Sequence, residues 1–263
     1  MSLSDTYLPQ GRAQLVQVLG TAGDVVKALN LSRIDAAKRL SRWAQQGWLN
    51  RVGRGAYVPA SIDTLGSRQV LDDAWILVPA LYAPAYVGGR TAAEHWDLTE
   101  QIFKDIVVMT GQAIRSKRQE RQGNQFSIKH INAEKIFGTK TVWRHHSKVP
   151  VSDVHRTIID MVDDPSLGGG IQHVSDCLAA YLKRDDRDDS KLIDYALRLD
   201  NGAVFKRLGF LARKNETAGS LPEMCSRHLT AGTAKLDPAL ACDTLVSKWR
   251  LLIPKTWVKE AGL

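Results

Sequence analysis

The stretches "SRIDAAKRLSRW", from Ser32, and "RVGRGAYVP", from Arg51, gather cations at a spacing that suits binding rather than catalysis. The first offers Ser32, Arg33, Lys38, Arg39 and Arg42, the second Arg51 and Arg54. Guanidinium, ammonium and hydroxyl groups donate to phosphate oxygens and to the acceptor edges of bases. Such a set predicts recognition of a polyanion. A net charge of +8 and a pI near 9.4 agree with it, although charge by itself selects no partner.

Constellations for catalysis are weaker. Of seven histidines, His145 and His146 are adjacent, which on a strand turns them to opposite faces and prevents shared ligation of one metal. His155 and Asp160 stand five apart in one helical pattern, and a solvated polar face accounts for them. "GSRQVLDD", from Gly66, has the glycine-serine and paired-aspartate parts of a nucleotidyltransferase site, but Asp72 and Asp73 are adjacent and close to the serine. Magnesium-holding carboxylates in those enzymes stand one residue apart and well downstream. A nuclease needs an Asp and then a Glu-x-Lys on neighbouring strands, and "DIVVMTG" and "FSIKHIN" do not supply that combination. "GGG", at Gly168, has no strand before it and no Lys-Ser/Thr after it, so it reads as a loop. Cys177, Cys225 and Cys242 are too scattered for a disulfide framework and lack C-x-x-C spacing, which leaves three reduced core thiols. The expectation is a non-enzymatic chain with no metal and no cofactor.

The cations need elements to hold them. At 100° per residue Ala36, Leu40, Trp43 and Gly47 fall in one arc, a buried stripe, while Lys38, Ser41, Arg42 and Gln45 take the opposite face. Ser32 with Asp35 three positions on resembles a capping box, and Gly47 suits a helix C-terminus, where positive φ is needed. "WLNRVGRGAYVP", from Trp48, then reads as strand, glycine-containing turn and strand. Two shorter helical patterns precede, "GRAQLVQVLG" from Gly11 and "TAGDVVKALN" from Thr21. Three helices and a hairpin predict a winged helix-turn-helix over residues 1–70, ended by the polar link "PASIDTLGSRQ". Its third helix would enter the major groove of double-stranded DNA, and Arg51 and Arg54 on the wing would straddle the adjacent backbone or minor groove.

Residues 71–263 read as a mixed α/β domain rich in helices, so the predicted fold class is α+β. "DDAWILVPALY" and "GGRTAAEHWDLTEQ" read as helices, and "DIVVMTG", "FSIKHIN" and "TKTVWRHH" as strands. "QAIRSKRQERQGNQ" reads as a basic loop, and its Arg115, Lys117, Arg118 and Arg121 suit either a second phosphate-binding surface or a solvated hairpin tip. "SDVHRTIIDMV", opening on a serine cap, "GGIQHVSDCLAAYLK", "SKLIDYALRLDN" and "GAVFKRLGFLARK" follow as helices, with "WRLLIPKTW" a last strand. No apolar run approaches the roughly 20 residues of a membrane span, and the N-terminus lacks the order of a signal peptide. A soluble, cytoplasmic protein that avoids membranes is expected.

"RVGRGAYVP", "YVGGRTAAEHWDLTEQ", "VPVSDVHRTIIDMVDDP" and "LDNGAVFKRLGFLARK" together resemble AbiEi-type antitoxins of bacterial type IV toxin-antitoxin systems, over most of residues 10–215. The resemblance implies a winged-helix domain that represses its own operon and an α/β antitoxin domain that neutralises an AbiEii-type nucleotidyltransferase toxin, with no stable complex required. With the autoregulation it implies, the expected target is an inverted repeat in the chain's own promoter, whose two half-sites allow cooperative binding, by a monomer among other states. The residues beyond Asn215 match no part of the pattern. Two other readings stay open: a transcription factor with a ligand-sensing C-terminal domain, and a DNA-processing enzyme that the winged helix targets.

Overall fold

The computed structural model describes residues 25–26, 29–53, 55–59, 73–144 and 147–258, and they form a mixed α/β protein. The predicted helix from Gly11, most of that from Thr21, and the polar link after Pro59 lie outside the described residues, as do Arg54, Asp72, His145 and His146.

Helix α1, Arg33–Gln45, begins where its cap predicts. Ser32 Oγ accepts from Asp35 N–H at 3.1 Å and donates to Asp35 Oδ2 at 2.6 Å. At the other end Gly47, with φ 77°, donates its N–H to Ala44 O at 3.1 Å, and Trp48 N–H reaches Trp43 O at 2.9 Å. That pair of bonds is a Schellman closure, and the left-handed residue in it carries no Cβ penalty only as glycine. The chain then enters strand β1, Leu49–Gly53, antiparallel to β2, Ala56–Pro59. Ala36 and Leu40 of α1 are buried with Val25, Leu49 and Tyr57 in a small core. Burial of a leucine such as Leu40 is worth about 1.5–3 kcal/mol.

A six-stranded sheet has the order β5-β6-β4-β3-β8-β7. Its strands are β3 (Ala85–Val87), β4 (Asp105–Thr110), β5 (Arg118–Arg121), β6 (Asn124–His130), β7 (Thr139–Arg144) and β8 (Ser147–Ser152). β3 runs antiparallel to β4 and parallel to β8. Before β3, "DDAWILVPALY" gives a 3-10 turn at Ala74–Ile76 and then a short helix α2, Leu77–Tyr82. The stretch read as a basic loop is half strand, because Gln122 and Gly123 both take positive φ, 51° and 75°, in a two-residue turn that folds β5 onto β6. β3 and β8 were not predicted either. β3 is only three residues long, and β8 contains Pro150.

Contacts group the described residues into two compact units. One holds the residues up to Val87 with Val108–Ile136 and Thr141–Val151, and so carries α1, its hairpin and most of the sheet. The other holds Gly88–Val107, Phe137–Lys140 and the chain from Ser152 onward. Its helices are α3 (Gly89–His95), α4 (Val154–Asp163), α5 (Ile171–Tyr181), α6 (Asp189–Leu199), α7 (Gly202–Ala212) and α8 (Leu221–Ser226). The residues beyond Asn215 belong to this core: Leu221, Cys225, Leu236, Leu251 and Ile253 pack in it. Trp249, the largest fully buried side chain, lies against Gly209, where any Cβ would overlap the indole. That close approach explains a glycine inside a helix.

Candidate nucleic-acid interface

Ser32, Arg33, Lys38, Arg39, Arg42 and Arg51 are all exposed. The hydroxyl of Ser32 is engaged in the cap, so the cations are what α1 presents outward. The helix carries four cations, Arg33, Lys38, Arg39 and Arg42, and one carboxylate, Asp35, which accepts from Ser32. Lys38 and Arg42 stand opposite the buried stripe, with Ser41, Gln45 and the 69% exposed Ile34 on the same strip. Arg39 lies at the stripe's margin, its guanidinium 6.0 Å from the centre of the half-buried Trp43 ring. On the hairpin, Arg51 pairs across to Tyr57, and its Nε donates to Gly53 O at 3.3 Å.

The hairpin rests on α2. A Cβ on Gly53 would come 2.9 Å from Leu81 Cδ2, so the strand is in close contact with the end of that side chain. The next residue, Tyr82, faces the sheet: its ring lies 5.6 Å from that of Phe126, and its hydroxyl donates to Gln119 Oε1 at 3.5 Å. Burial raises the Tyr82 phenol, and the charge of Arg121 opposes that rise. Arg115, Lys117, Arg118 and Arg121 are exposed on the β5 edge and the loop before it.

The polar residues of α4 behave differently from the sequence expectation. His155 and Asp160 are 6% and 3% exposed, so the solvated face is wrong for both. Arg156 satisfies Asp160 with Nε–H to Oδ1 at 2.8 Å, and its guanidinium lies 4.1 Å from the Phe137 ring centre. The cap of α4 is Asp153 rather than Ser152, since its carboxylate reaches Arg156 N–H at 2.8 Å. Ser152 ends β8, and its Oγ lies 2.7 Å from Thr157 Oγ1. The same Asp153 carboxylate accepts from Tyr195 Oη at 2.9 Å and pairs with Lys191 Nζ at 3.1 Å, with His155 Nδ1 at 3.7 Å. This cluster ties α4 to α6 and is the polar feature that sequence reasoning missed. Its local signal was an aspartate three positions before Arg156, the spacing of a helix cap.

Other groups that suggested chemistry serve the fold. Asp73 caps the 3-10 turn by accepting from Trp75 N–H at 2.9 Å and lies 3.6 Å from Arg144 Nε. The N-terminus of α5, after the glycine run at Gly168, is occupied by the buried Asp237, whose Oδ2 accepts from Ile171 N–H at 3.1 Å. Cys177, Cys225 and Cys242 are buried and unpaired, and burial pushes the Cys177 and Cys225 thiols up to about 12. Among the described residues no group of three His, Cys, Asp or Glu side chains could hold a metal ion, and no helix is long and apolar enough to cross a membrane.

No family model and no curated protein matches the chain. Among solved structures, it is similar to the crystal structure of the RV2827C protein from Mycobacterium tuberculosis, with a TM-score of 0.57 and 14% identity over 98% of this chain and 95% of that one. At that identity the likeness is one of fold.

Proposed function

We propose that the chain binds double-stranded DNA through α1 and the β1–β2 hairpin, used as recognition helix and wing of a winged helix-turn-helix. The observation that carries this reading is a capped helix whose outward strip holds Lys38 and Arg42 with uncharged neighbours, followed through a Schellman turn by a hairpin bearing Arg51. A helix of that width fits the major groove, and an adjoining hairpin reaches the flanking backbone. The sequence resemblance extends the reading to a non-enzymatic antitoxin that represses its own operon at an inverted repeat and counteracts an AbiEii-type nucleotidyltransferase toxin. Arg39→Ala and Arg42→Ala should weaken binding to the chain's own promoter by about 1–3 kcal/mol where a base contact is lost, and equally on all sequences where only a phosphate contact is lost. Titration of labelled promoter and scrambled duplexes at matched salt measures this. Wild-type affinity in both variants would remove α1 from the interface.

A further inference from the structure

We infer that the β5–β6 hairpin, which shares the support of α2 with the β1–β2 hairpin, adds a second element to the DNA-binding surface, with Arg121 contacting the phosphate backbone of the same duplex. The inference rests on the DNA-binding reading and extends it to a second basic element.

Three observations within one compact unit carry it. First, α2 joins the two hairpins through consecutive residues, Leu81 against Gly53 and Tyr82 against Gln119 and Phe126. Second, strand alternation sorts the cations of β5. Gln119 pairs with Phe126 and so faces α2, and Arg121, two residues on, shares that face. Its Nη2 donates to Gln119 Oε1 at 2.7 Å, the same oxygen that Tyr82 reaches, which fixes the guanidinium on the α2 side while it stays exposed. Arg118, which pairs with Ser127, falls on the opposite face. Third, the segment is rich in cations: Arg115, Lys117, Arg118 and Arg121 against a single Glu120, whose Oε2 accepts from Gln125 Nε2 at 3.3 Å. Charge on an edge strand also discourages edge-to-edge pairing between copies, but that role is indifferent to face. A DNA contact is not, because only the α2 side holds the helix on which the wing rests.

The face dependence supplies the test. Arg121→Ala and Arg118→Ala remove the same charge from the same strand at exposed positions, so an effect of net charge alone would be equal in both. Binding of the full-length protein to a promoter duplex is measured between 50 and 200 mM salt for wild type, both variants and Arg42→Ala. Arg121→Ala is expected to make the slope of log K against log salt shallower by about 0.9, which corresponds to about eightfold weaker binding at 0.1 M, with Arg118→Ala matching wild type. Unchanged slopes in both variants would overturn the inference while leaving α1 as the reader if Arg42→Ala still weakens binding. Equal losses in both would also overturn it, since the contact would then not be specific to the α2 face. Absence of salt-dependent duplex binding by wild type would overturn the DNA-binding reading and this extension together. Matching melting temperatures of the variants confirm that the comparison is between folded proteins.

Discussion

Asp153 concentrates the electrostatics of the helical unit in one carboxylate. Burial alone would raise its pKa, but His155 beside it, the Arg156 N–H, the Tyr195 hydroxyl and the Lys191 ammonium outweigh that and hold it well below the usual carboxylate range. A folded pKa below the unfolded value of about 3.9 contributes stability that is present above that value and lost as pH falls through the folded pKa. Asp153→Asn keeps an oxygen for the α4 cap but removes the charge and puts an amide donor where Tyr195 and Lys191 need an acceptor, so it should cost about 1–3 kcal/mol at pH 7. The deficit should shrink as pH falls below about 4, where the wild-type carboxylate begins to lose its own advantage. Urea midpoints of both proteins at pH 7 and pH 3 decide this, and an equal deficit at both would mean that the charge is not the source. Asp160 is paired with Arg156 at 2.8 Å, both side chains being buried. Removing either partner would take that contact from a buried charge.

At the scale of elements, the joint between α1 and β1 is a single left-handed residue. Gly47→Ala forces a Cβ into φ near 77° and should cost about 1 kcal/mol of local stability. Because the joint sets how the helix and hairpin meet, the variant should also bind promoter and scrambled duplexes more weakly by a similar factor. Denaturation and duplex titration together read this, and full affinity despite lowered stability would show that the two elements need not be held in register. This joint was legible in the sequence because every signal for it is local: a cap three residues from its partner, a 3.6-residue stripe and a glycine at the end. β5 was not legible, since both its faces are exposed or half-buried and no alternation marks it. β3 and β8 were hidden by brevity and by a proline, and their pairing joins residues far apart in the chain. The Asp153 cluster was hidden for the same reason. Burial of a carboxylate is favourable only with its partners present, and Tyr195 lies 42 positions away.

For the whole molecule, two proposed activities should be separable by substitution in the intact chain. Arg39 and Arg42 are exposed on α1, and neither belongs to the core of the helical unit, which draws on Ala93, Leu98 and Phe137, on α4 to α8 and on the residues that follow as far as Trp257. Their replacement by alanine should therefore impair repression and leave that unit folded. If the antitoxin reading holds, neutralisation that depends on the helical unit survives in the double variant. The decisive measurement is growth of cells that express an AbiEii-type toxin encoded beside this gene, driven from an unrelated promoter so that repression cannot rescue them. Wild type and Arg39→Ala/Arg42→Ala are supplied in trans at equal abundance, with a promoter-reporter fusion run in parallel. Rescue by both, with the reporter derepressed only in the variant, is the expected result. Rescue by wild type alone would mean that the α1 surface takes part in neutralisation, so that DNA and toxin control share one face. Failure of wild type to rescue, with the protein folded and abundant, would end the antitoxin reading for that toxin and leave a DNA-binding protein whose helical unit serves another purpose.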